Sequence, residues 1–134
     1  MTAGTSTIDR ESDMARGERE TYDDEQVTQR LAGELPNWEL KDGWIRRKYT
    51  TGGWPFTLML VNAIGFLAEA AFHHPDLNVS WSQVIVKLNT HSAKGITDND
   101  FELTRKIEDA ATWLPDEDSA LDGFEKGFKK KWIR

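Results

Sequence analysis

A chain of 134 residues fits one domain built around one core, and 38% hydrophobic content with six Trp and six Phe is enough to form it. The absence of cysteine excludes disulfides and thiolate metal sites and fits a reducing compartment. A net charge of −6 argues against nucleic acid as an electrostatic partner.

The N-terminus is polar, and no apolar run reaches roughly 18 residues, so neither a signal peptide nor a membrane span is expected. A cytoplasmic protein without membrane contact is the corresponding expectation. The charge is uneven. Residues 1–25 hold eight acids and three arginines, whereas residues 122–134 hold two acids and five bases.

Residues 1–21 carry few apolar side chains and read as a disordered acidic tail, because they bury too little to offset the entropy of ordering. Order is expected from DDEQVTQRLAGELP. Val27, Leu31 and Leu35 recur every four residues, Asp23 or Asp24 can cap the helix, and Pro36 stops it. In NWELKDGWIRRKYT, Asp42-Gly43 is a two-residue hairpin signal. Trp38 and Leu40 alternate on one arm and Ile45, Arg47 and Tyr49 on the other.

Residues 53–73 form the longest apolar segment, with Asn62 and Glu69 its only strongly polar members before the histidines. Its glycines and interruptions argue against a membrane, and Pro55 fits a first helical turn. A helix apolar nearly all round is buried on more than one side, one facing the sheet and the other a second subunit. Val84, Val86, Leu88 and Thr90 then alternate with Ile85, Lys87 and Asn89 as a half-buried strand, with Val79–Trp81 as a short partner.

The last helix starts at Thr97 as N-cap, with Asp98 and Asp100 at the positive end of its dipole. Its stripe is Leu103, Ile107, Ala110/Ala111 and Leu114, and Pro115 ends it. The order predicts an α+β fold, α-β-β-α-β-β-α, with a four-stranded antiparallel sheet and three helices on one face. The domain is expected over residues 22–115. Residues 116–134 form a basic extension in which Phe124, Phe128 and Trp132 recur every four residues. That extension reads either as a membrane- or partner-binding amphipathic helix or as a segment packed on its own domain.

The chain has three histidines, and two of them stand in EAAFHHPD. Glu69 and His73 are four apart on one helix and so share a face, and His74 lies about 100° further round. Pro75 denies the helix a continuation. His91 ends the alternating strand. If that strand lies beside the long helix, three imidazoles converge at one rim of the sheet. Such a cluster can donate and accept protons near neutral pH, which suits loss or gain of water. Two other readings compete: surface or capping histidines, and a His₂Glu metal set from Glu69, His73 and His91.

The spacing Glu69-x₃-His73-His74-Pro75-x₅-Trp81-x₉-His91-x₈-Asp100, with HHPDLNVSW, VIVKLNTH, GITDNDF, NWEL and KIE around it, resembles the signature of pterin-4a-carbinolamine dehydratases. The resemblance covers roughly residues 23–115. It implies the α+β fold, dimers or tetramers, and removal of water from 4a-hydroxytetrahydrobiopterin to give quinonoid dihydrobiopterin. The pterin is the substrate, and no cofactor or metal is implied. By position, His73, His74 and His91 are the catalytic residues. Glu69 orients His73 or binds the pterin. Phe72, Pro75, Asn89, Thr90 and Ser92 match substrate-contact positions, Trp81 walls the pocket, and Asp100 is the motif's last acid. Relatives of this fold also serve as a dimerisation cofactor or an assembly factor, which makes a non-catalytic partner-binding role the alternative. The two terminal extensions exceed the compact family core.

Overall fold

The structure, a computed structural model, describes residues 20–124 and 132–134. Seven main elements follow in chain order: α1 (Asp24–Glu34), β1 (Glu39–Lys41), β2 (Trp44–Thr50), α2 (Trp54–Ala71), β3 (Asp76–Ser80), β4 (Gln83–Leu88) and α3 (Asp98–Thr112). A short 3₁₀ turn, His91–Ala93, joins β4 to α3. The fold is α+β. The sheet order is β1-β2-β4-β3, antiparallel throughout.

Local chemistry accounts for the element ends. Asp23 caps α1 through a capping box with Gln26. Asp42 and Gly43 both have positive φ, 53° and 83°, as the two-residue β1–β2 turn requires. The first arm is shorter than expected: Trp38 lies outside β1, and its N–H closes a turn onto Leu35 O at 2.9 Å. The β3–β4 partner strand begins earlier than expected, at Asp76 rather than Val79.

Ile45 and Tyr49 of β2 and Val84, Val86 and Leu88 of β4 bury one face of the sheet. Against it pack Val27 and Leu31 of α1, Leu60, Ile64 and Ala68 of α2, and Phe101, Leu103, Ile107 and Ala111 of α3. Ala110, expected in the α3 stripe, is exposed, and Leu114 lies beyond the helix end.

The α2 segment corrects one expectation. It is a single unbroken helix of 18 residues with a mean hydropathy of 1.3, long and apolar enough by composition to cross a membrane. Asn62 and Gly65 read as interruptions but are accommodated within the helix. The segment serves as a core helix, with Thr57, Leu60, Ile64 and Ala68 buried. Its other face exposes Trp54, Leu58, Met59 and Phe66.

The end of the chain folds back on the domain. Arg134 and Thr50 exchange two backbone hydrogen bonds of 2.7 and 2.9 Å, Ile133 joins the core, and Trp132 packs edge-on against Phe56. The expected amphipathic helix falls mainly on residues 125–131, which lie outside the described residues, as do residues 1–19 of the expected acidic tail.

Candidate functional site

The three histidines reach one place by three local devices. Helix α2 ends at Ala71, earlier than Pro75 requires, because Phe72 turns into the left-handed region (φ 50°, ψ 45°). Phe72 N–H bonds to Ala68 O and Glu69 O, and His73 N–H bonds to Ala68 O at 3.1 Å, a Schellman-type closure. Glycine usually occupies this conformation, so Phe72 holds local backbone strain at the rim of the site. The turn carries His73 and His74 off the helix axis, and Pro75 directs the chain into β3. His91 arrives from the other side, at the exit of β4.

The carboxylate pairing differs from the expectation. Helical spacing matched Glu69 with His73, but both histidines lie past the helix end. Glu69 Oε1 instead accepts from His74 Nε2 at 2.8 Å, and His73 Nε2 donates to Asp100 Oδ1 at 2.7 Å. The two pairs are unlike. His74 and Glu69 are largely exposed, so their attraction is screened. Asp100 is fully buried and the His73 side chain is only 14% exposed.

Burial of Asp100 is offset by its hydrogen bonds. Oδ2 accepts from Thr90 Oγ1 at 2.7 Å and from Thr97 N at 2.9 Å, the latter as half of the α3 capping box. Thr90 and Thr97 hydroxyls also meet at 2.8 Å. One carboxylate therefore ties the end of β4, the start of α3 and the exit of α2 together. Asp100 is both the helix cap and the partner of His73.

Phe72, His73, His74, Asn89, Thr90, His91 and Ser92 line one cleft of about 320 Å³, at the small end of ligand pockets. Asn99 also lines it, a residue passed over in the sequence although it sits beside Asp100 in the first turn of α3. A larger cavity lies elsewhere. It is a groove of about 710 Å³ between α2 and α3, and it borders His73 alone of the three imidazoles. The smaller cleft gathers all three and is the better site.

Trp81 is not brought to the cleft within this chain. It occupies the β3–β4 turn, at the opposite end of β4 from His91, on the order of 20 Å of extended strand away. Its ring packs over Gly53, where an added Cβ would meet it at 3.3 Å, and its carbonyl accepts from Thr57 Oγ1. Pro75 shapes the approach but does not line the cleft. The Glu69, His73 and His91 metal set is not assembled, and among the described residues no group of three His, Asp or Glu side chains could hold a metal ion.

The second residue that sequence reasoning missed is Trp44. Its ring meets that of His91 edge to face, with centroids 5.8 Å apart and planes at 84°. His74 has a similar neighbour in Phe72, at 5.6 Å and 82°. The strongest electrostatic perturbations lie elsewhere, where Trp38, Arg47 and Tyr49 all donate to Glu108 Oε1. Burial pushes the Tyr49 hydroxyl far above its usual value, and the bond to Glu108 adds to this. Burial alone would raise the Glu108 carboxyl. The bonds from Tyr49, Trp38 and Arg47, with the Arg47 charge, outweigh it and hold the group below the usual carboxylate range.

Comparison with known proteins gives a consistent result. Residues 20–110 match the family model described as pterin 4 alpha carbinolamine dehydratase. A relative from Aquifex aeolicus, provisionally named pterin-4-alpha-carbinolamine dehydratase, is 44% identical over 85 residues, covering 63% of this chain and 86% of its own length. Another from Roseiflexus, with the same provisional name, is 37% identical over 86 residues, covering 64% and 91%. A crystal structure titled transcriptional coactivator/pterin dehydratase, from Brucella melitensis, superposes with a TM-score of 0.62 at 24% identity, covering 66% of this chain and 96% of that one. That likeness speaks for the fold.

Proposed function

This chain belongs to the pterin 4 alpha carbinolamine dehydratase family, and from that membership we propose that it dehydrates a 4a-hydroxytetrahydropterin to the quinonoid dihydropterin. The observation that carries the reading is the cleft where His73, His74 and His91 meet, two of them backed by carboxylates. The reaction is an elimination. The C4a–O bond breaks as an imidazolium protonates the departing hydroxyl, which leaves as water. A second imidazole takes the ring-nitrogen proton, and the electron pair of that N–H bond becomes the new ring double bond. No oxidant is needed, and the two protons exchanged are of the kind histidine handles near neutral pH.

The carboxylates suit this division. A carboxylate only accepts, so Asp100 and Glu69 fix Nε2–H on His73 and His74 and leave Nδ1 of each for proton exchange. Asp100, buried against His73, orients that ring as a buried carboxylate orients a catalytic histidine. Phe72, Asn89, Ser92 and Asn99 would contact the pterin. The Thr90 hydroxyl is engaged by Asp100, which leaves that residue a supporting role. The exposed apolar stripe of α2 supports assembly as a homodimer or homotetramer.

The test is to generate the carbinolamine in situ with an aromatic hydroxylase and follow its decay by ultraviolet absorbance. Decay faster than the spontaneous rate is expected when the wild-type protein is added. A rate equal to that of buffer with correctly folded protein would contradict the proposal.

A further inference from the structure

Each of the first two imidazoles has a carboxylate to set its ring: Asp100 for His73 and Glu69 for His74. His91 has none. Its side chain is exposed, and among the described residues its ring makes one interaction, the edge-to-face contact with Trp44. An imidazole free to rotate would sample several rotamers. A proton acceptor or donor must instead hold one geometry within hydrogen-bond reach of its substrate.

Sheet register explains why Trp44 is the residue in place. Ile45 pairs with Leu88, so one step further along the two strands Trp44 stands opposite Asn89. Side chains alternate across a strand, and Ile45 and Leu88 point into the core. Trp44 and Lys87 therefore share the outer face, with Lys87 diagonal to Trp44 across the strand pair. The chain leaving β4 at Leu88 enters the 3₁₀ turn at His91, which brings that imidazole onto Trp44. The contacts agree: the Lys87 ammonium lies 4.8 Å from the Trp44 ring centroid, and the His91 ring lies on the indole at 5.8 Å. A cation over an indole face is an attractive contact that braces the ring. Trp44 is half-buried and fixed by its strand, so it is a rigid surface for a mobile imidazole.

We infer that Trp44, braced by Lys87, is the positioning residue for His91, doing by aromatic contact what Asp100 and Glu69 do for the other two histidines. It acts through His91 and does not touch the reacting atoms. The consequence for catalysis rests on the acid–base role proposed above for His91. The orientation itself does not.

Two readouts separate those statements. The first is the kinetics of carbinolamine decay for Trp44→Ala and Trp44→Phe. Trp44→Ala should lower kcat roughly tenfold with KM nearly unchanged, because misplacing a proton-transfer group costs rate more than binding. Trp44→Phe, which keeps an aromatic face, should recover most of the loss. The second is the histidine ring ¹H–¹³C spectrum, assigned with His→Gln variants. In wild type the His91 signals should be displaced by the indole ring current. In Trp44→Ala they should move to ordinary values while those of His73 and His74 stay in place. Unmoved His91 signals would overturn the inference whatever the kinetics. So would loss of rate that Trp44→Phe fails to restore and that moves all three histidines together, since that describes a fold defect. If wild type proves inactive, the proposed reaction falls, and the His91 spectrum alone decides whether Trp44 sets its orientation.

Discussion

At the scale of single residues, Asp100 carries the most. It is fully buried, and its two oxygens serve His73, Thr90 and the start of α3 at once. Asp100→Asn keeps the shape but puts an N–H where an acceptor stood. With its oxygen toward Thr90 and Thr97 N–H the amide turns its N–H₂ to His73 Nε2 and imposes the wrong tautomer there; with its oxygen toward His73 the N–H₂ faces the Thr97 N–H, donor against donor. The expected outcome is loss of carbinolamine dehydration by roughly a hundredfold or more, the scale of general acid–base catalysis. Stability should fall by about 1–3 kcal/mol from the unsatisfied buried group. Steady-state kinetics and urea unfolding check the two separately. Intact activity would mean that Asp100 is a helix cap and nothing more.

At the scale of elements, α3 is fastened to the sheet by Glu108, which receives Trp38, Arg47 and Tyr49 from the other side of the core. The Glu108 carboxyl is depressed in the folded state, so its stabilisation is complete above its ordinary value near 4.5 and is lost as pH falls through the lower folded value. The Tyr49 hydroxyl is raised, so the folded state holds its proton while the unfolded chain ionises, and stability declines as pH climbs above 10. Glu108→Gln should cost about 3 kcal/mol near neutral pH, because Arg47 is left buried without its charge partner. The variant should also lack the Glu108 part of the acid limb. Unfolding midpoints measured from pH 3 to 7 on both proteins test this, and parallel curves would refute it.

The same elements show what the sequence made legible. The N-caps Asp23 and Thr97, the Asp42-Gly43 turn and the alternation Val84, Val86, Leu88 are local signals, and each appears in the fold. The Glu69 pairing did not, because helical spacing assumes that the helix continues to His73. The left-handed Phe72 ends it two residues earlier, and nothing in a phenylalanine announces that conformation. Trp44 was hidden for a different reason: its contact with His91 depends on the β2–β4 register, which is set by tertiary packing.

For the whole molecule, the helices cover one face of the sheet and α2 presents Trp54, Leu58, Met59 and Phe66 outward. A stripe of four large apolar residues on one helix is costly to leave in water, and a second copy of the chain is the simplest cover. Sedimentation of the wild type should give a dimer or tetramer, and the double variant Leu58→Glu, Phe66→Glu should give a folded monomer. A wild type that sediments as a monomer would remove this element of the account.

The central claim is that three imidazoles in one cleft move the two protons of a dehydration. Its most direct test is the decay rate of the 4a-hydroxytetrahydropterin with wild type, His73→Ala and His91→Ala under identical conditions. The account predicts that wild type exceeds the spontaneous rate and that each variant falls back close to it while retaining the native fold. Full acceleration by both variants would contradict it and would take the chemistry away from the histidine cleft.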